Sequence, residues 1–327
     1  MSAGPAALAA PPQAPRRSTE ILTFDPGAMS MALQEGVLEH VQLERGNFSG
    51  RIAHTAAAES RVDWGRYELA VLARGDTSGE MVTLALAIDG LGDWRVYGQA
   101  MVDGDMVAFA ERGELLIALP RRAQWLALQV PRRRLEAAGL APGSLPASGA
   151  QRMRGRLDAG LRQTLADVAP VLAPLAVPAP FKGADVERAH DQLLTAVLTG
   201  WVRRSSSDKG NAALQPAERW RVIRRAEAYL ESSGAASVRI DDLCVAACTS
   251  LSRLERAFRE AFGLNPRRYL MLRRLAAVRG ELLDGGAPGS ITEIATRWGF
   301  FHLGRLAQEY RLHFGERPSD TLGQRRR

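Results

Sequence analysis

Residues 290–318 read SITEIATRWGFFHLGRLAQEYRLHFGERP, and residues 240–266, IDDLCVAACTSLSRLERAFREAFGLNP, carry the same pattern of apolar, glycine and proline positions. The two copies are offset by 51 residues in their first half and by 52 in their second half, where a turn can absorb the additional residue. In the second half of each copy, apolar residues recur at i, i+4 and i+8, which is the spacing of one helix face. Each copy is therefore predicted to form a short helix, a tight turn and a longer helix.

This arrangement is a helix-turn-helix, which presents its second helix to the major groove of DNA. Two in tandem predict a protein that reads two neighbouring stretches of groove. Residues 270–283 predict a longer helix, beginning near Pro266, that holds the two units at a fixed separation. Ser290 and Glu293 predict a capping box at the start of the second unit. The apolar side chains expected to point inward are Leu254, Phe258 and Phe262 in the first unit and Leu306, Tyr310 and Phe314 in the second.

The net positive charge of the chain is confined to the segment that holds the repeat. Residues 214–327 contain 20 Arg and no Lys against 13 acidic residues, a net charge of +7 that equals the net charge of the whole chain. Residues 1–213 carry 23 basic and 23 acidic residues. Basic charge concentrated in one module indicates contact with nucleic acid.

The length of 327 residues favours two domains, and a composition of 46% hydrophobic and 24% charged residues is typical of a globular protein. No apolar run approaches the roughly 20 residues that cross a bilayer, and the N-terminus lacks the pattern of a secretory signal. With Cys244 and Cys248 as the only cysteines, a disulfide framework is not indicated and a cytoplasmic location is expected. The predicted division is a disordered tail at 1–19, a first domain at 20–204, a linker at 205–213 and a DNA-binding domain at 214–327.

The first domain is predicted to be mainly β. Short apolar runs separated by turn signals recur about every ten residues, as in a sandwich or a small barrel. Helices are predicted at 131–139, 151–168, 185–204 and, beyond the linker, 216–232. An apolar stripe on the third of these is expected either to pack on its own domain or to form a dimer interface. The expected strands are residues 66–73, 81–88, 94–102, 115–119 and 125–130.

Three stretches of the C-terminal third point to one family: FREAFGLNPRRY at 258–269, SITEIATRWGF at 290–300 and HFGERPS at 313–319. With the spacing between the two copies, they resemble the DNA-binding domain of the AraC/XylS transcriptional regulators. The stretch WGFFHLGR at 298–305 is similar to the branch that includes the ethanolamine-operon regulator. After the second turn, this sequence has Gly304 and Arg305 where the AraC/XylS family commonly has a serine and an aromatic residue.

Cys244 and Cys248 stand where the family usually has alanine and glycine. Two thiols at i, i+4 make a poor metal site, so both side chains are expected to pack in the core. Because Cys248 replaces a turn glycine with a bulkier residue, the sequence leaves the geometry of that turn open.

The resemblance implies an α+β chain, with a β-rich, cupin-like (jelly-roll) sensor domain followed by an all-α domain that holds two helix-turn-helix units. The interior of a jelly roll can bind a small effector. The β-rich segment contains only His40 and His54 and no His-x-His pair, so no metal and no cofactor is expected. The aromatic residues that could line an effector pocket, and that are also typical of plain core, are Trp64, Tyr67, Trp94, Tyr97 and Trp125.

Outward-facing side chains of the two longer helices are candidates for base contacts. Arg can bind guanine, Gln can bind adenine, and an aliphatic side chain can touch a thymine methyl. The alternative is an ordinary solvated face, on which Arg259 could pair with Glu255 at i, i+4. The base-facing candidates are Ser252, Arg253, Glu255, Arg256, Arg259, His302, Leu303, Arg305, Gln308 and Arg311. The candidates for phosphate contacts, which give affinity rather than sequence choice, are Arg267, Arg268, Arg273 and Arg274.

These features favour a sequence-specific, effector-responsive regulator of transcription whose partner is double-stranded DNA. RNA polymerase is a further partner if the protein is an activator, a homodimer is left open, and no membrane contact is expected. Two alternatives are a constitutive DNA-binding protein whose first domain only dimerises and an enzyme fused to the DNA-binding unit. The enzyme is disfavoured, because no cysteine precedes Cys244 and the sequence has neither a nucleophile elbow nor a phosphate-binding glycine loop.

Overall fold

Strands and helices occupy separate parts of the chain in the computed structural model, which describes residues 17–21, 24–32, 38–57, 59–77, 79–141, 143–173, 183–205, 212–214, 218–233, 237–284 and 289–324. The first part holds β1 (Arg17–Ile21), α1 (Pro26–Ala32), β2 (Glu39–Gln42), β3 (Gly50–Ala57), β4 (Ser60–Tyr67), β5 (Val71–Asp76), β6 (Val82–Leu91), β7 (Trp94–Val96), β8 (Gln99–Met101), β9 (Met106–Phe109), β10 (Glu114–Leu119), β11 (Arg121–Val130), α2 (Arg132–Ala137), β12 (Ala150–Met153), α3 (Ala159–Leu172), α4 (Gly183–Ser205) and β13 (Ala212–Leu214). The second part is helical and holds α5 (Glu218–Ser233), α6 (Ile240–Ala246), α7 (Leu251–Phe262), α8 (Pro266–Leu283), α9 (Ile291–Arg297), α10 (Leu303–Phe314) and α11 (Pro318–Gln324).

The strands of the first part form a jelly roll. An eight-stranded sheet has the order β1-β3-β4-β11-β6-β9-β12-β13, and a five-stranded sheet has the order β2-β5-β10-β7-β8. Within them β4-β11-β6-β9 and β5-β10-β7-β8 are the two antiparallel four-stranded halves of a double Greek key. The predicted jelly-roll, cupin-like fold of the first domain is confirmed.

Helices α3 and α4 cover the outer face of the eight-stranded sheet and create a second core there. The predicted apolar stripe of α4 is buried in this core against Trp64, Leu126 and Leu128 of the sheet. It therefore packs on its own domain, which is the first of the two roles expected for it. The residues of the stripe, each less than 5% exposed, are Val186, Ala189, Leu193, Val197 and Trp201.

Two predicted strands are in fact pairs of strands joined by turns. Residues 66–73 contain the end of β4, a turn and the start of β5, and residues 94–102 form the β7–β8 hairpin. Tyr97 and Gly98, between β7 and β8, have φ angles of 49° and 76°, as a two-residue type I′ turn requires. The apolar runs continue through both turns because the turn residues themselves are packed, so hydrophobicity alone predicts one strand. The expected strands at 115–119 and 125–130 lie within β10 and β11, and the one at 81–88 lies within β6 except for residue 81.

The expected helix at 151–168 begins later than predicted. Residues 150–153 pair with β9 as strand β12, and α3 starts at Ala159 because the Asp158 side chain caps it, accepting a hydrogen bond from the Leu161 amide at 2.8 Å. The helices expected at 131–139, 185–204 and 216–232 correspond to α2, α4 and α5.

The predicted tail and linker fall largely outside the described residues. Of the tail at 1–19, only residues 17–19 are described, and they belong to β1, which pairs with β3. Of the linker at 205–213, Ser205 ends α4 and residues 212–213 belong to β13, which pairs with β12.

Side-chain caps begin two helices of the helical part, and one of them is the predicted capping box. Asn265 accepts a hydrogen bond from the Arg268 amide at 2.8 Å and starts α8, with Pro266 in its first turn. Ser290 and Glu293 form the predicted capping box of α9, with bonds of 2.7 and 3.2 Å. Within the described residues, none of the helices combines the length and the apolar character needed to span a bilayer.

Candidate nucleic-acid interface and internal cavity

The first helix-turn-helix unit comprises α6 and α7. Leu254, Phe258 and Phe262 are buried as predicted, and the Phe262 ring stacks on Tyr269 of α8 with centroids 4.7 Å apart. The opposite face of α7 is open to solvent. Its exposed candidates are Ser252, Arg253, Arg256 and Arg259, whereas Glu255 is half-buried. Burial, then the charges of Asp241 and Glu255, raise the pKa of the Cys244 thiol on α6.

The second unit comprises α9 and α10 and repeats this arrangement. Leu306, Tyr310 and Phe314 are buried, and the Tyr310 hydroxyl lies 2.9 Å from the Thr321 hydroxyl of α11. The side chains predicted to face DNA are all exposed: His302, Leu303, Arg305, Gln308 and Arg311.

The first turn keeps the geometry of the second despite its cysteine. Cys248 adopts a left-handed backbone, with φ at 50°, and the equivalent Gly299 has φ at 79°. The Cys248 side chain is exposed and Cys244 is half-buried against the core. The expectation that both cysteines pack in the core is therefore wrong for Cys248, whose side chain is exposed at the turn.

The arginines predicted to bind phosphates have different surroundings. Arg267 is exposed at the start of α8, and Arg268 is half-buried with its guanidinium 3.6 Å from Glu309. Arg274 donates to the Val238 carbonyl oxygen at 2.8 Å. Arg273 is buried and holds Glu39 at 3.0 Å and Glu227 at 2.8 Å, so it faces the jelly roll and cannot reach a DNA backbone from this position. The phosphate assignment of Arg273 is corrected accordingly.

Four charged side chains, here called the ionic box, join the helical part to the five-stranded sheet. Glu39 and Arg74 come from β2 and β5, and Glu227 and Arg273 from α5 and α8. Arg74 pairs with both carboxylates, and so does Arg273. Burial by itself lowers the pKa of Arg74 and of Arg273, but the surrounding acidic groups outweigh it and raise both.

The jelly roll also contacts both recognition helices near their C-terminal ends. Arg95 of β7 donates to the Glu260 carbonyl oxygen at 2.9 Å, and a Cβ on Gly98 would lie 3.0 Å from the Ala261 Cα. At the second unit, the Gly46 amide donates to the His313 carbonyl oxygen at 3.0 Å. Burial, and then nearby Arg268, lowers the pKa of His313 to about 3. Sequence reasoning had no signal for these contacts, since they depend on how the two parts meet.

The space between the two sheets contains a cavity of about 90 Å³. Of the aromatic residues predicted to line a pocket, Tyr67, Trp94 and Trp125 do so. Trp64 points to the opposite face of its sheet, in the core under α3 and α4. Tyr97 lies in the β7–β8 turn, where its ring packs on Trp220 at 5.2 Å and its hydroxyl donates to the Glu114 carbonyl oxygen. Neither Trp64 nor Tyr97 lines the cavity.

Polar residues that the sequence did not single out also line this cavity. His40, Asp63 and Gln129 are buried on its wall. Asp63 is held by His54 Nδ1 at 2.7 Å and by Gln129 Nε2 at 3.0 Å. Within the part of the chain that the structure describes, four buried atoms on the wall have no hydrogen-bond partner: His40 Nδ1, Tyr67 Oη, Trp125 Nε1 and Gln129 Oε1. Inward alternation along β2, β4 and β11 is the signal that could have identified them.

Comparison with known proteins agrees with this geometry. The helix-turn-helix domain family matches residues 243–324. XylDLEGF operon transcriptional activator 2 of Pseudomonas putida is 35% identical over 130 residues, which cover 39% of this chain and 77% of that protein. The chain belongs to the AraC/XylS family.

Other relatives and solved structures match between about a third and four fifths of this chain. XylDLEGF operon transcriptional activator 1 of Pseudomonas putida is 34% identical over 134 residues, 41% of this chain, so the match spans only 38% of that relative. A solved probable AraC family transcriptional regulator from Rhodopseudomonas palustris is 32% identical, covers 32% of this chain and 96% of that one, and has a TM-score of 0.30. The AraC-like transcriptional activator CuxR is 15% identical, and the match covers 80% of this chain and 94% of that one with a TM-score of 0.39.

Proposed function

We propose that this AraC/XylS-family protein is a sequence-specific DNA-binding regulator of transcription whose jelly-roll domain senses a small molecule. One observation carries the proposal: each helix-turn-helix unit buries its apolar face and leaves the outward face of its second helix exposed. The net charge of +7 in residues 214–327 suits the same partner, the DNA backbone.

The exposed side chains divide into two proposed roles. Arg256 of α7 and Arg305 of α10 have the donors to bind guanine, Gln308 suits adenine, and Leu303 can touch a thymine methyl. Ser252, Arg253, Arg259, His302 and Arg311 are proposed to lie beside them at the groove, with Glu255 less accessible. Arg267, Arg268 and Arg274 are proposed to contact phosphates.

The five-stranded sheet is the proposed path from sensor to DNA. Its inner face lines the cavity with His40 of β2 and Ile117 of β10, and its outer face carries Arg74 into the ionic box. A ligand that shifts these strands changes how α5 and α8 pack on the sheet and therefore changes the affinity for DNA. By thermodynamic linkage, DNA must change the affinity for the ligand by the same factor. The unpartnered polar atoms in the cavity favour this reading over a jelly roll that only dimerises.

Regulation is proposed to be activation, since several of the matching relatives are named operon transcriptional activators. An activator would also contact RNA polymerase, and a homodimer is compatible with the exposed surface of α3 and α4.

The experiment is selection of random DNA by the full 327-residue chain at moderate ionic strength. The proposal expects enrichment of a bipartite site and loss of selectivity at one element in Arg256→Ala. Recovery of unenriched DNA would contradict it.

A further inference from the structure

We infer that the cavity between the sheets binds a small uncharged molecule with an apolar body and a hydroxyl group. The inference rests on the proposed sensing role of the jelly-roll domain and specifies the chemistry of its ligand. It depends on three features of the cavity wall: unpartnered polar atoms, missing cationic side chains and a row of small residues.

The unpartnered atoms offer both donors and acceptors. Gln129 Nε2 donates to Asp63 at 3.0 Å, so the free Oε1 is an acceptor. His40 Nδ1 also has no partner among the described residues, and in a neutral ring it can donate or accept according to the tautomer. Trp125 Nε1 is a donor, and the Tyr67 hydroxyl can act as either. A buried polar group without a partner costs free energy, and a ligand hydroxyl, which donates one hydrogen bond and accepts others, can pair with one acceptor and one donor of this set.

The wall has no cationic side chain to pair with an anionic ligand among the described residues. Among the described residues that line the cavity, none is lysine or arginine. Burial lowers the pKa of His40 to about 4, so its ring is neutral at pH 7. A buried carboxylate ligand would therefore lack a cationic partner, which is strongly unfavourable. For an ammonium ligand, the carboxylates on the wall are Asp63, whose two oxygens already bond His54 and Gln129, and Asp76, which is exposed at the edge.

Small side chains make the room. Ala127 of β11 is the register partner of Ala85 on β6, and both line the cavity. On one side Trp125 packs over Gly65, and on the other Gln129 pairs with Thr83. Trp125 and Gln129 are four residues apart on β11, roughly 13 Å at the rise of a strand. The cavity thus has an apolar centre with polar groups towards both ends.

The volume sets the size of the probe. A cavity of about 90 Å³ is several times the space of one water. An engineered cavity of roughly 150 Å³ holds the six carbon atoms of benzene, so in proportion about four non-hydrogen atoms suit this one, and the five of isobutanol are near its upper limit. Isobutanol, isobutyrate and isobutylammonium share one carbon skeleton and differ in charge, which makes them a matched set.

The test is a ligand-observed NMR titration of the full chain with each of the three compounds at pH 7. Isobutanol is expected to bind at least tenfold more tightly than either ion, and Ala127→Leu, which fills the cavity, is expected to abolish binding. Equal or tighter binding of isobutyrate or isobutylammonium, or no binding of any of the three, would overturn the inference.

Two tyrosine variants test the hydroxyl contact. Tyr67→Phe removes an unpartnered hydroxyl and is expected to weaken isobutanol binding by roughly two- to tenfold. Tyr97→Phe is the control, because its hydroxyl donates to the Glu114 carbonyl outside the cavity and isobutanol affinity is expected to stay unchanged. Equal affinities of Tyr67→Phe and the parent chain would refute the contact.

The ligand and DNA experiments fail independently. Selective DNA binding with a preference for an ionic probe overturns the ligand class and leaves the proposed function standing. A preference for isobutanol without any selectivity among DNA sequences overturns the proposed function and leaves the chemistry of the cavity standing.

Discussion

Replacing Glu227 by Gln is expected to loosen the contact between the jelly roll and the helical part. Glu227 is 10% exposed and accepts from Arg74 of the sheet and from Arg273 of α8. Without its charge, two buried guanidinium groups face each other across the contact. Breaking a buried ion pair costs roughly 3–5 kcal/mol. The lower end, about 3 kcal/mol, applies here because Glu39 still pairs with both arginines.

The arrangement of the ionic box determines which equilibrium this cost shifts. Each part of the protein contributes one acid and one arginine to the box, Glu39 with Arg74 and Glu227 with Arg273, and the exposed Glu231 of α5 also reaches Arg74 at 3.1 Å. When the two parts separate in the parent chain, each retains a neutral pair, so separation leaves no isolated charge. Glu227→Gln therefore destabilises the arrangement in which the two parts are in contact more than the one in which they are separated. A difference of about 3 kcal/mol corresponds to a roughly hundredfold larger population of separated molecules.

The assay is amide hydrogen exchange at Gly46, whose amide donates to the His313 carbonyl oxygen across the contact at 3.0 Å. Exchange there is expected to accelerate by up to roughly a hundredfold in Glu227→Gln. Glu39→Gln is the matched control. Its carboxylate is 38% exposed and solvent-screened, so the expected cost is only about 0.5–1 kcal/mol. Equal acceleration in both variants, or none in Glu227→Gln, would refute the reasoning.

Three other perturbations have expected outcomes. Cys248→Gly is expected to raise the free energy of unfolding by about 1 kcal/mol in chemical denaturation, because Cys248 has φ at 50°, whereas Cys248→Ala, which keeps a Cβ, should leave it unchanged; equal effects would argue against strain. Tyr67→Phe is expected to raise the melting temperature without ligand, and Tyr97→Phe to lower it, since only the second loses a hydrogen bond; the same sign in both would be inconsistent with an unpartnered Tyr67 hydroxyl. Burial lowers the pKa of His40 and His190 to about 4 and of His313 to about 3, so the unfolded chain takes up protons that the folded chain cannot, and unfolding free energy is expected to fall as pH drops from 6.5 towards 4. His313→Gln should flatten that fall in denaturation curves measured at several pH values, and an unchanged slope would count against a neutral buried His313.

The helix-turn-helix units were readable from the sequence because their signals are local. The i, i+4, i+8 spacing of Leu306, Tyr310 and Phe314 fixes one face, and capping by Ser290 and Glu293 fixes where α9 begins. These interactions involve residues close in the chain, so side-chain type and spacing determine them.

The cavity and the ionic box depend on partners far apart in the chain. Arg273 looks like its neighbour Arg274 in sequence, yet only the packing of α8 on the sheet directs it to Glu39 and Glu227. Trp64 and Tyr67 are both aromatic residues of β4, but an odd separation places them on opposite faces, one in each core. Strand alternation could have separated these two, whereas no local signal could have paired Arg273.

The most direct test of two DNA-reading helices is a bound-site selection with the full chain and with its Arg256→Ala and Arg305→Ala variants. Tandem units predict two sequence elements whose centres lie about 10 base pairs apart, one helical turn. Arg256→Ala is expected to relax one element and Arg305→Ala the other, each at a cost of roughly 1–3 kcal/mol on the selected site. Relaxation of the same element by both variants, or unchanged selectivity in both, would contradict the assignment of α7 and α10 to two grooves.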